Sequence, residues 1–186
     1  MPLDPQIRSL LAALKPLSFS AQISPQDLRK VADEQSKLVV SMAKEPIAEV
    51  RDLEVPVAQG RIRARVYIPR KGGDLPLVVY YHGGGFVFGN VETHDHICRR
   101  LARQADAVVV SVDYRLAPEH KFPTAVDDAY TALRWAADRA HEFGADPSKI
   151  AVAGDSAGGN LAAVVSILDR DSGQRLVRKQ VLIYPV

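Results

Sequence analysis

A single cysteine, Cys98, stands in 186 residues, so no internal disulfide can form, and the usage fits a reducing compartment, taken here as cytoplasmic. No apolar run approaches the roughly 20 residues needed to cross a bilayer, which argues against a membrane span. The stretch from Met1 to Ala13 lacks a cationic segment ahead of a long apolar one, so no signal peptide is evident. Charge of either sign is not in excess: 24 Lys and Arg face 22 Asp and Glu. The basic residues are scattered, with no run suited to a phosphate backbone, so no nucleic-acid partner is expected. Arg99, Arg100 and Arg103 come nearest to a patch and fit a solvated helix face. Also missing are internal repeats, low-complexity tracts, a G-x-x-x-x-G-K-[ST] loop and any G-x-G-x-x-G over residues 83–89, which weighs against a phosphate cradle. What remains is ordinary for a soluble globular domain: 47% apolar and 25% charged residues, enough chain for one sizeable core.

The pattern divides near residue 45. Asp4-Pro5 and Ser24-Pro25 each read as an N-cap followed by a first helical proline. The first helix carries Ile7, Leu10, Leu11 and Leu14 on one face, and the second Leu28, Val31, Gln35, Leu38, Val39 and Met42. These faces need a surface to pack on. From about Glu49 strands take over, with 50–57 and 62–68 as an antiparallel pair joined near Gln59-Gly60. Strands at 77–81, 107–112, 150–153 and 179–184 then alternate with helices near 92–105, 124–142 and from Ser156 to Asp169. Such alternation implies an α/β fold with a mostly parallel sheet, helices on both faces and right-handed crossovers. Ligand chemistry in such sheets gathers at the carboxyl ends of the strands.

Two motifs fall at those ends. Gly154-Asp155-Ser156-Ala157-Gly158 spells G-x-S-x-G between an apolar strand and an Ala-rich helix. This is the sharp turn that exposes a serine hydroxyl above a sheet. Neighbours without side chains let backbone and substrate come close to that hydroxyl. The second motif, His82-Gly83-Gly84-Gly85, follows the apolar run 77–81. A glycine triplet after a strand leaves N–H groups unobstructed, as needed where charge builds on a carbonyl oxygen. Ser156 is the candidate nucleophile, and Gly83, Gly84, Gly85 and Ala157 are the candidate oxyanion donors. Ala157 enters because the first N–H groups of a helix lack intrahelical acceptors and lie at the positive end of its dipole. Asp155 is assigned to local structure. Asp113, Arg115 and Glu119 read as an ion-pair cluster bracing a loop. His94 and His96, two apart on a helix, do not share a face, so a metal site there is not expected. Tyr81, Phe86 and Phe88 flank the triplet, as pocket or as core.

With Ser111-Val112-Asp113-Tyr114-Arg115-Leu116-Ala117-Pro118-Glu119 between them, these motifs resemble those of the hormone-sensitive-lipase-like (family IV) carboxylesterases of the α/β-hydrolase superfamily. Met1 to Pro5 and Gln180 to Pro185 are similar to thermophilic members. The resemblance implies a serine esterase acting on short- to medium-chain carboxylic esters without cofactor. It also implies that 1–45 is a helical cap over 46–186, the N-terminal part of the catalytic domain, with the 18–25 linker as the place where the cap moves. Apolar cap residues would exclude water from the oxyanion. One departure stands out. The family's acid and histidine follow the serine, yet no histidine follows Ser156 and the only acids there are Asp169 and Asp171. At about 1.5 Å per helical residue those two lie roughly 20 Å from the nucleophile. His82, His94, His96, His120 and His141 all precede it and read as structural or surface groups. The triad acid and histidine are therefore expected beyond residue 186, and the 186 residues alone are expected to turn over little ester and to aggregate through an open sheet edge. A non-catalytic ligand-binding protein on the same scaffold is the alternative. Peptidase or amidase chemistry is also open, as is homo-oligomerisation.

Overall fold

The computed structural model describes residues 3–13, 23–42 and 45–186. Helices α1 (Pro5–Ala13) and α2 (Pro25–Met42) come first, followed by β1 (Glu49–Val57), β2 (Gly60–Ile68), β3 (Leu75–Tyr81), α3 (Asp95–Ala105), β4 (Val108–Asp113), α4 (Thr124–Asp138), a 3-10 turn (Ala140–Phe143), β5 (Ala145–Asp155), α5 (Ala157–Asp171) and β6 (Val177–Ile183). One six-stranded sheet runs in the order β1-β2-β4-β3-β5-β6. The β1–β2 and β2–β4 pairs are antiparallel, and the other three are parallel. The expected α/β architecture is present.

Side-chain alternation explains why both faces carry helices. Leu77, Val79 and Tyr81 of β3 pack with Ala129, Ala132 and Leu133 of α4 and Leu161, Ala162 and Val165 of α5. Val78 and Tyr80 point the other way, against Cys98 and Ala102 of α3. Each fully buried leucine among them contributes about 1.5–3 kcal/mol. β3 begins two residues earlier than its apolar run suggests, and its ladder to β5 breaks between Leu75 and Leu77, around Pro76, which has no N–H to donate. The helix expected over 124–142 instead ends at Asp138. A 3-10 turn follows, closed by Gly144 in the left-handed region at φ +74°.

α2 opens as its sequence suggests: Asp27 N–H donates to Ser24 Oγ at 3.1 Å. Its Arg29 reaches across to the loops after β3 and β4, donating to the Val87 carbonyl at 2.7 Å and the Ala117 carbonyl at 2.8 Å and pairing with Glu119 at 2.7 Å. α1 differs, since Ile7 on its expected buried face is 46% exposed. Leu14, residues 18–22 of the linker, and the side chains of Leu10, Leu11, Leu38, Val39 and Met42 lie outside the described residues. No helix among the described residues is long and apolar enough to cross a membrane.

Candidate active site

β3 and β5 are adjacent and parallel, with Tyr81 level with Gly154. The residues that follow each strand therefore emerge side by side at the carboxyl edge of the sheet. At the end of β5 the chain reverses into α5 within one residue. Ser156 takes up the turn, at φ +51° and ψ −118°. An L-residue held there costs about 1–3 kcal/mol, which surrounding structure must offset. Its N–H donates to the Ile183 carbonyl at 2.9 Å, and its carbonyl accepts from Asn160 N–H at 3.0 Å. Gly158 makes the reversal feasible: a Cβ there would overlap the backbone carbonyl of Tyr81. The Ser156 side chain is half-buried, and its hydroxyl makes no hydrogen bond among the described residues. Ala157 begins α5, so its N–H has no intrahelical acceptor and sits at the positive end of the dipole.

The glycine loop lies alongside. Gly83 N–H donates to Asp155 Oδ1 at 3.0 Å. That bond removes Gly83 from the expected set of oxyanion donors, because its N–H already has an acceptor. Gly84 and Gly85, at φ +129° and +59°, keep N–H groups with no acceptor among the described residues. The loop folds on itself, with Val87 and Phe88 N–H both reaching the Gly84 carbonyl at 3.0 Å. Ala117 N–H holds the Phe86 carbonyl from outside at 2.8 Å.

Asp155 serves structure, as expected, and in a specific way. Oδ1 accepts from the Tyr80 hydroxyl at 2.6 Å as well as from Gly83. His94 Nε2 is 3.6 Å away. Burial alone would raise the carboxyl's pKa, but His94, Tyr80 and the Gly83 N–H outweigh it and bring the value down to about 2. His82 is buried beside them. Its Nδ1 lies 2.8 Å from the Gly83 carbonyl, which can only accept, so Nδ1 carries the proton. Nε2 is then bare, and it has no partner among the described residues. Burial, with His94 alongside, pushes the His82 pKa down to about 3. The neutral ring stacks on Tyr114 at 4.3 Å between centroids, and the Tyr114 hydroxyl donates to the His82 carbonyl at 2.7 Å.

Other expectations resolve differently. Asp113, Arg115 and Glu119 do not pair with one another. Each faces a separate element: Asp113 meets Arg63 at 3.0 Å, Arg115 meets buried Asp128 at 2.7 Å, and Glu119 meets Arg29. β4 ends at Asp113, so Arg115 and Glu119 lie in the loop beyond it, whose path takes each to a different neighbour, which a linear motif does not reveal. Tyr81 is core, its hydroxyl donating to the Ala129 carbonyl at 2.9 Å. Phe86 packs partly against the same core. Asp169 is buried near the far end of α5, where it accepts from Val177 N–H at 2.9 Å, and Asp171 pairs with Arg170. Among the described residues no cluster of His, Cys, Asp or Glu could hold a metal. Sequence reasoning passed over Tyr80, Tyr114 and Arg29. Only the tyrosines carried a signal, as polar-tipped residues in or just after an apolar strand whose hydroxyls need partners when buried.

A strained serine at a strand-to-helix turn, free N–H groups beside it and a mixed sheet with helices on both faces define a class. Residues 78–186 match the family described as alpha/beta hydrolase fold. The chain is similar to an arylesterase of Saccharolobus solfataricus, 41% identical over all of this chain and 60% of that protein. Among solved structures, the thermophilic carboxylesterase EstE1 from a metagenomic library is 70% identical, with a TM-score of 0.88, over 90% of this chain and 57% of that one. The hyperthermophilic esterase of Pyrobaculum calidifontis is 58% identical, with a TM-score of 0.93, over 100% of this chain and 60% of that one. The chain thus spans about 60% of the length of these relatives. It belongs to the α/β-hydrolase fold family, and within that family its relatives are carboxylesterases, as the resemblance to hormone-sensitive-lipase-like enzymes implies.

Proposed function

We propose that the chain carries the nucleophile and oxyanion-binding half of a serine carboxylesterase. The observation that supports this most is the pairing of a half-buried, unbonded Ser156 hydroxyl with free N–H groups at Gly84, Gly85 and Ala157 on the same sheet edge. The serine attacks an ester carbonyl and forms an acyl-enzyme, which water then hydrolyses. The developing alkoxide oxygen takes hydrogen bonds from the three N–H groups, each worth about 3–4 kcal/mol at the transition state in comparable sites. A histidine base and its acid partner complete the cycle. None of the five histidines of this sequence bonds the Ser156 hydroxyl among the described residues. Small-molecule esters of short to medium acyl length are the substrates on this reading, with no metal or cofactor taking part. Residues 1–45 act as a cap, since Arg29 of α2 straps the helix to both loops that border the glycine triplet. A cytoplasmic enzyme of thermophilic character fits the single cysteine and the named relatives.

Hydrolysis of p-nitrophenyl acetate, butyrate and decanoate by the intact enzyme tests the reading. Release of p-nitrophenol, abolished in Ser156→Ala with the fold retained by circular dichroism, is the expected result. Undiminished turnover in that variant would remove Ser156 as the nucleophile.

A further inference from the structure

We infer that Tyr80 and Asp155 are positioning residues that set the oxyanion loop against Ser156 through one shared acceptor atom, Asp155 Oδ1. This deepens the esterase reading and rests on Gly84 and Gly85 being the loop's donors. The geometry is economical. Asp155 is the residue before Ser156, so whatever it grips is fixed relative to the nucleophile. Its Oδ1 grips Gly83 N–H at 3.0 Å, one residue before the free donors. Tyr80, buried on β3, donates to the same atom at 2.6 Å and fixes the carboxylate's rotamer. Steric fit reinforces the bond: a Cβ on Gly83 would overlap the Asp155 carboxylate, so the loop is pressed onto it. His94, at 3.6 Å from Oδ1, closes the remaining side. Ser156 itself has no side-chain tie to the loop among the described residues, so Asp155 is the side-chain link between the elbow and the donors. Without an acceptor, the buried Gly83 N–H and Tyr80 hydroxyl would be left unsatisfied, and the loop would shift to relieve them.

Three variants separate this role from simple packing. Asp155→Ala removes the acceptor. Asp155→Asn keeps an oxygen that accepts both bonds while losing the charge. Tyr80→Phe keeps the ring and removes only the hydroxyl, so it serves if Asp155→Ala fails to fold. Two measurements are made on each. The first is amide hydrogen exchange of the 83–89 segment, which needs no activity. The second, on the intact enzyme, is the rate of Ser156 modification by a fluorophosphonate, read by intact mass, with kcat and KM alongside. Asp155→Ala is expected to speed exchange in 83–89 at least tenfold and slow modification about a hundredfold, the scale of losing an oxyanion donor. Tyr80→Phe is expected to slow modification about threefold to tenfold, and both variants lower kcat with KM little changed. Asp155→Asn restores both readouts to within about threefold of wild type. Wild-type exchange and modification in Asp155→Ala or in Tyr80→Phe would overturn the inference. So would Asp155→Asn behaving like Asp155→Ala, which would make charge, and not acceptance, the Asp155 role. Failure of the intact wild-type enzyme to react at Ser156 would instead count against the esterase reading, while the exchange measurement would still judge the brace.

Discussion

The two loops that meet at the site differ in how far side chains hold them. The elbow at 154–158 is fixed by its own backbone: Ser156 N–H bonds to Ile183, its carbonyl to Asn160, and Gly158 lies flat on Tyr81. The glycine loop at 83–89 has backbone bonds of its own, at Gly84 and Phe86, but is also held by side chains sent from elsewhere. Asp155 takes Gly83, Tyr114 takes the His82 carbonyl, and Arg29 takes the Val87 carbonyl. Main-chain bonds inside a packed sheet fail only with the sheet, whereas side-chain bonds can be removed one at a time. Ser156 is therefore set by the fold, while the glycine loop beside it is adjustable.

That contrast can be broken at either end. The largest effect is expected at the elbow. Gly158→Val places a side chain against the Tyr81 backbone, which cannot move without disturbing β3. A loss of about 3 kcal/mol or more is expected, seen as a lower urea midpoint together with loss of Ser156 reactivity. A wild-type midpoint would show that α5 does not need its close seat on the sheet. A smaller, graded effect is expected under the glycine loop, through His82. The unfolded chain binds a proton at this ring near pH 6.5, but the folded chain does so only near 3. Between those values the unfolded state holds more protons, so stability falls as pH drops through the window. From pH 6.5 to 5 the loss is on the order of 2 kcal/mol, at about 1.4 kcal/mol per pH unit. Urea midpoints at pH 7 and 5 measure it, and His82→Gln is expected to flatten the difference. An unchanged slope in that variant would mean that His82 does not titrate differently in the two states.

Much of this was legible in advance, for physical reasons. Continuous apolar runs located the inner strands, because β3 and β4 are buried on both faces, and helical periodicity located nearly every helix. Ser156 was legible because a G-x-S-x-G between strand and helix has few other uses. The donor set was less so. A glycine triplet announces free N–H groups but not which one is already taken, and the answer depended on Asp155, 72 residues away in sequence. The Asp113–Glu119 segment misled for a related reason: charges close in sequence were read as partners, yet the strand end and the loop beyond it send them to α2, α4 and β2. Tyr80 and Tyr114 are core residues whose hydroxyls also anchor the loop, a second role that an apolar pattern does not carry.

The most direct test of the central claim is a crystal structure of the intact enzyme after modification by a p-nitrophenyl alkylphosphonate. The phosphorus is expected on Ser156 Oγ, with one phosphonyl oxygen within hydrogen-bonding distance of the N–H groups of Gly84, Gly85 and Ala157, and Gly83 still bound to Asp155. An adduct on another residue, or a phosphonyl oxygen facing away from those three groups, would contradict the account.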